Sequence, residues 1–159
     1  MDNVILEESI DKKVLYIPNW KRIVTVFLLL CGIIAMYLYR FCSTSCSNLK
    51  GTVFGIPLEL IGVIYAFTII LLVSIPQKIT TYTIIQALLS FIIGGEFYLM
   101  GYQVLHNTYC EYCIAYGISA ILAFIVNFQT KKIMFYLLFA ILGFIGLSIF
   151  LEISTFSYT

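Results

Sequence analysis

Apolar residues fill this chain in five long blocks, and short polar runs separate them. A helix that crosses the hydrocarbon core of a bilayer needs about 20 mostly apolar residues, with about 17–25 the usual range. Read from one polar break to the next, the blocks run from Ile23 to Tyr39, Pro57 to Ile75, Tyr82 to Leu105, Tyr109 to Phe128 and Ile133 to Ile153. The breaks between them are Arg40 to Ile56, Pro76 to Thr81, His106 to Thr108, and Gln129 to Lys132. Connections this short join antiparallel neighbours. The pattern therefore predicts an all-α membrane protein, an up-and-down transmembrane bundle of five helices. A polar segment over residues 1–20, with Asp2, Glu7, Glu8, Asp11, Lys12 and Lys13, is expected on the cytoplasmic side. One membrane domain over 21–154 and a short outer-side tail over 155–159 are expected to follow it. No secretory signal is expected at Met1, because the positive region and apolar core of such a signal do not start there.

Composition agrees with a bilayer solvent. Hydrophobic residues make up 62% of the chain and the mean hydropathy is +1.03, against an apolar share of about 45–50% in soluble domains. A net charge of +1 with no clustered Lys and Arg argues against nucleic acid as a partner. The few basic residues do carry a message, since short cytoplasmic loops hold an excess of Lys and Arg. With the N-terminus inside, Lys12, Lys13, Lys21, Arg22, Lys78, Lys131 and Lys132 are cytoplasmic, and only Arg40 and Lys50 are outside. That orientation puts every cysteine except Cys31 at the outer face.

Four of the five cysteines form two close pairs, Cys42 with Cys46 after the first block and Cys110 with Cys113 at the start of the fourth. Disulfides persist outside the cytosol, so the pairs read as redox centres or as structural bridges. A Cys-x-x-Cys pair sets two sulfurs one helical turn apart, a spacing that recurs in thiol redox proteins. Thr108 and Glu111 have capping-box spacing, which predicts Cys110 as the second helical residue. There the helix dipole favours a thiolate, the species that exchange requires. A Cys₄ zinc site fits the ligand count but not the uneven spacing, and no metal is expected. Cys31 is expected to be a small buried packing residue.

The run Cys42-Ser-Thr-Ser-Cys46, then Phe54-Gly55-Ile56-Pro57-Leu58-Glu59-Leu60-Ile61-Gly62, then Tyr109-Cys110-Glu111-Tyr112-Cys113 resembles the vitamin K epoxide reductase family, over about residues 23 to 128. The resemblance implies a four-helix core around a quinone, with the fifth helix outside it. It implies that Cys110 and Cys113 are the active-site pair, with Cys113 the residue that attacks the quinone. Cys42 and Cys46 become the shuttle pair that takes electrons from a thioredoxin-like protein acting in trans. The implied cofactor is a quinone of the ubiquinone or menaquinone type, drawn from the membrane pool.

Several polar residues inside the blocks gain meaning from that expectation. Glu96 lies in the third block, where a carboxyl group near mid-bilayer is costly and normally faces the bundle interior. It is expected either to relay protons for quinone reduction or to be hydrogen-bonded to Tyr98 or a neighbouring helix. Gln103 and Asn107, at i and i+4, share one face and could offer amides to a quinone carbonyl or satisfy each other. Tyr116, one turn after Cys113, is expected to touch the ring or to stand in the interfacial aromatic belt. Glu59, just after Pro57, suits the dipole at a helix start and reads as structural. His106 reads as an ordinary loop residue, and Gly143 and Gly146 as permitting close helix approach. The expected function is membrane thiol–disulfide oxidoreduction that supports disulfide formation, in a multi-pass protein of a bacterial cytoplasmic membrane with its cysteines outside. The alternatives are vitamin K epoxide or quinone recycling, and a non-catalytic membrane subunit whose disulfides are structural.

Overall fold

The computed structural model describes residues 18–41, 51–75, 79–107 and 109–153. Its helices are α1 (Asn19–Tyr39), α2 (Leu58–Ser74), α3 (Ile79–Leu105), α4 (Glu111–Asn127) and α5 (Ile133–Phe150). Three of them are long and apolar enough to cross a membrane: α1 with 21 residues, Thr80–Leu105 of α3 with 26, and α5 with 18. The other two, α2 and α4, are apolar helices of 17 residues. Expected spans therefore recur as apolar helices among the described residues, three of them of 18 residues or more and two of 17.

Local chemistry explains the helix ends. Pro18, with φ −59° and ψ 133°, sits just before α1, where its missing N–H is no loss. Along α1 the buried positions are Thr25, Leu29, Gly32, Met36 and Tyr39, the spacing of a single interior stripe. Gly32 brings α1 against α4, because a Cβ there would lie 2.6 Å from the Ser119 hydroxyl. Cys31, next to it, points the other way and is exposed, which corrects its expected burial. Glu59 falls in the first turn of α2 after Pro57, as expected. The far end of α2 is capped from α1, where Arg22 donates through Nε to Val73 O and through Nη2 to Ser74 O, both at 3.0 Å.

A buried polar knot ties α1, α3 and α4 at that same end. Asn127 Nδ2 donates to Thr25 Oγ1 at 2.8 Å, while the Asn127 carbonyl accepts from Tyr82 OH and Gln86 Nε2. Lys132, in the short 3-10 turn Thr130–Lys132, donates to Gln86 Oε1 at 3.2 Å. Buried polar groups are tolerated when they are hydrogen-bonded, and each of these five side chains makes at least one such bond.

The opposite end carries a small sheet that the apolar pattern does not predict. Strands β1 (Gly51–Val53) and β2 (Ile56–Pro57) form a hairpin within the first connection. Its two-residue turn, Phe54-Gly55, has φ of 53° and 77°, as a type I′ turn requires. The last block does not stay helical to Ile153: α5 stops at Phe150, and Leu151–Ile153 becomes strand β3. The reason is the free edge of β1, which pairs antiparallel with β3 through Gly51↔Ile153, Thr52↔Glu152 and Val53↔Leu151. The strand order is β2-β1-β3, and the Phe54 and Phe150 rings lie 4.9 Å apart beside it.

Helices α3 and α5 touch backbone to backbone. A Cβ on Gly94 would overlap the Ala140 carbonyl, and one on Gly143 would overlap the Phe91 carbonyl. Gly146 has only an ordinary contact with the Phe91 ring, so the expected glycine approach belongs to Gly143. Gly143→Leu should therefore force the helices apart and lower unfolding stability by about 1–3 kcal/mol or more. Gly146→Ala should change it little. Unfolding in mild detergent checks both, and equal effects would contradict the packing.

Candidate functional site

How α4 begins decides where its two cysteines point. Cys110 is not the second helical residue but the N-cap itself, with φ −115° and ψ 107°. Its Sγ accepts the N–H of Cys113 at 3.3 Å, the bond that a Ser or Asp oxygen usually makes there. This corrects the expected register; the Thr108 half of the expected capping box lies outside the described residues. Gln103 Oε1 accepts the Cys110 N–H at 3.0 Å. Asn107 does not share a helical face with Gln103, because α3 ends at Leu105 and Asn107 turns the chain with φ 51° in an exposed position. Asn tolerates that left-handed conformation.

The two sulfurs then have different surroundings. Cys110 is fully buried and packs with Tyr39 at the end of α1. Cys113 is partly exposed and lines a cavity of about 420 Å³, together with Met36, Arg40, Thr52, Pro57 and Glu59. That volume falls in the range of small-molecule sites, about 300–1,000 Å³. Below it, sharing Met36 and Leu58 as walls, is a second cavity of about 90 Å³ whose lining includes Tyr65, Glu96 and Tyr116.

Glu96 is 6% exposed, and among the described residues its carboxyl makes no hydrogen bond and no ion pair. The expected bond to Tyr98 is absent; Tyr98 instead packs edge-on against the Phe144 ring. Room for the carboxyl comes from Gly117, where a Cβ would stand 2.8 Å from Glu96 Oε2. An unsatisfied buried polar group calls for a ligand, a water or a catalytic role. Tyr116 is interior, not part of an aromatic belt: it is 2% exposed, and its OH donates to Gly62 O at 3.1 Å. His106 packs its ring on Tyr102 at 4.2 Å.

No family model, curated protein or solved structure matches the chain.

Of the expected site residues, Cys113 borders the upper cavity and Glu96 and Tyr116 the lower one. Gln103 braces Cys110 and is buried, and Asn107 is apart from both cavities. Cys42 and Cys46 lie outside the described residues; the segment that carries them joins Phe41 to Gly51, and Arg40 and Gly51 both border the upper cavity. Sequence reasoning missed Arg40 and Glu59 as lining residues. For Glu59 the available signal was a charge two residues into an apolar block, which has an equally good structural explanation in the helix dipole, while Arg40 opens a polar break and gave no such signal. Among the described residues no group of three His, Cys, Asp or Glu side chains could hold a metal ion.

The burial difference gives a direct expectation. In the reduced protein, iodoacetamide should alkylate Cys113 about tenfold or more faster than Cys110, since access limits thiol reactivity. Peptide mapping by mass spectrometry reads the two rates, and a faster Cys110 would contradict the arrangement.

Proposed function

We propose that this protein is a membrane thiol–disulfide oxidoreductase that passes two electrons from a thioredoxin-like dithiol protein, through Cys42–Cys46 and then Cys110–Cys113, to a quinone. The observation that carries the proposal is the division of labour within the second pair. Cys113 lines a ligand-sized cavity, while Cys110 packs on Tyr39, three residues before Cys42. Cys113 thus borders a ligand-sized space, and Cys110 packs against the residue that ends α1, from which the chain runs on to the first pair.

Electrons and protons balance as follows. The partner dithiol becomes a disulfide, each cysteine pair in turn is reduced and reoxidised, and the quinone takes up two electrons and two protons to leave as quinol. Exchange at each transfer requires a thiolate on the attacking sulfur. Cys113 acts at the cavity, and Cys110 re-forms the disulfide with it. Glu96 holds a proton beneath the cavity for the reduction and is recharged afterwards. Its lack of any hydrogen-bond partner among the described residues supports that role over a packing one. Tyr116, fixed by its bond to Gly62, lines the lower cavity beside Glu96. The residues present fit a flat, partly polar ring: a sulfur and a carboxyl border two spaces that share Met36 and Leu58.

A bilayer setting is part of the proposal, with all five helices crossing up and down and the cysteine pairs outside. Large apolar side chains stand exposed along α5, including Leu137, Leu138, Ile141, Leu142, Ile145 and Ile149. Lipid would cover such a face.

Turnover with a small dithiol donor and a soluble quinone tests the reading. Cys113→Ala should abolish it, and Glu96→Gln, which keeps shape but not the acid, should slow it about 10²-fold or more while leaving unfolding stability unchanged. Full activity in Cys113→Ala would overturn the proposal. In intact cells or right-side-out vesicles, an impermeant maleimide should label Cys110 and Cys113 only after reduction and only from outside; labelling from the cytoplasmic side alone would overturn the topology.

A further inference from the structure

Gln103 sits in the last full turn of α3 and is 2% exposed. A buried amide is costly unless its hydrogen bonds are made. Its Oε1 takes the N–H of Cys110, and the connection between them reverses through the left-handed Asn107. In a capping box, the N-cap side chain accepts the N3 amide while the N3 side chain reaches back to the N-cap N–H. The first half is present here, from Cys113 N–H to Cys110 Sγ. The residue at N3 is Cys113, whose side chain offers no oxygen for the second half. Gln103, from the preceding helix, supplies it.

We propose that Gln103 is a positioning residue that sets the redox equilibrium of the Cys110–Cys113 pair, by holding the Cys110 sulfur as the hydrogen-bond acceptor at the start of α4. The inference rests on the thiol–disulfide reading above. When a small dithiol reduces the pair, the Cys110–Cys113 bond breaks and the dithiol closes to a cyclic disulfide. Two electrons pass to the cysteine sulfurs, and the two dithiol protons pass to those sulfurs or to solvent. A released Cys110 sulfur bearing negative charge accepts the Cys113 amide strongly, and the helix dipole adds to this. The same sulfur in a disulfide is neutral and a weak acceptor. The cap therefore stabilises the reduced pair more than the oxidised pair and makes the disulfide more oxidising. Without Gln103, the Cys110 N–H loses the side-chain acceptor it has here, and the backbone turns as it adjusts to that loss. The sulfur moves with it.

The test uses full-length protein in detergent with Cys31, Cys42 and Cys46 replaced by Ser, titrated against dithiothreitol redox buffers, with the oxidised fraction read by mass. Gln103→Met keeps length and volume and removes the acceptor. The equilibrium constant should shift about tenfold toward the disulfide, equivalent to about 30 mV. A contact that only supports the fold would destabilise both redox forms alike, so a shift under about twofold, or one in the other direction, overturns the inference. Should Gln103→Met fail to fold, Gln103→Asn, which withdraws the oxygen by one methylene, must shift the constant in the same direction, and no shift there overturns the inference equally. A parent pair that does not exchange with dithiothreitol at all sinks the redox reading itself. A parent that exchanges, with a variant that matches it, sinks only the role of Gln103.

Discussion

Two backbone contacts between α3 and α5, at Gly94 with Ala140 and at Gly143 with Phe91, fix where the last helix lies. The small sheet at the cysteine end follows from that placement. Because α5 is pinned along α3, its final residues arrive beside the hairpin and pair with β1. A hairpin of three and two residues has little stability by itself. With β3 on its free edge and Phe150 against Phe54, it gains the partners it needs to stay over the cavity that Cys113 borders. The fifth helix thereby helps to hold β1, whose Gly51 and Thr52 line that cavity.

The two ends of the bundle treat buried polar groups in opposite ways. At the Arg22 end, Thr25, Tyr82, Gln86, Asn127 and Lys132 share hydrogen bonds across α1, α3 and α4. Satisfied networks of this kind rigidify a core and specify its packing. Nearer the cysteines, Glu96 is buried without a partner among the described residues, and Gly117 leaves space for it. Every side chain of the first cluster makes at least one hydrogen bond, whereas the Glu96 carboxyl makes none among the described residues. That contrast is why the carboxyl is assigned to proton transfer under the proposed reaction.

The length of the apolar blocks made the helices legible, because a run of that extent between polar breaks must leave water as a unit, and the helix bounds differ from the blocks by a few residues. Glu96 was legible for a related reason: an acid in an apolar block has few explanations. The sheet was not, since β1 and β2 total five residues and β3 continues an apolar run that reads as helix. Its pairing depends on a contact between residues 51 and 153, which no local pattern carries. The register of α4 was misread for a subtler reason. Thr108 and Glu111 have the right spacing for a cap, yet a cysteine sulfur occupies the N-cap and a glutamine seven residues upstream completes the arrangement. Cysteine is not among the usual capping residues, and the returning acceptor comes from another helix. The reversal at Asn107 separated it from Gln103 for the same reason, since helix ends are set by backbone geometry that spacing alone does not reveal.

Under the proposed reaction, Cys113 delivers the electrons of its pair to a quinone in the adjoining cavity. A single-turnover experiment reads this most directly: fully reduced protein with Cys42 and Cys46 replaced by Ser is mixed without oxygen with excess quinone. About one quinol should form per chain, with a Cys110–Cys113 disulfide appearing at the same rate in the mass map. Quinol formation without that disulfide, or no quinol above the rate of a Cys113→Ala control, would contradict it.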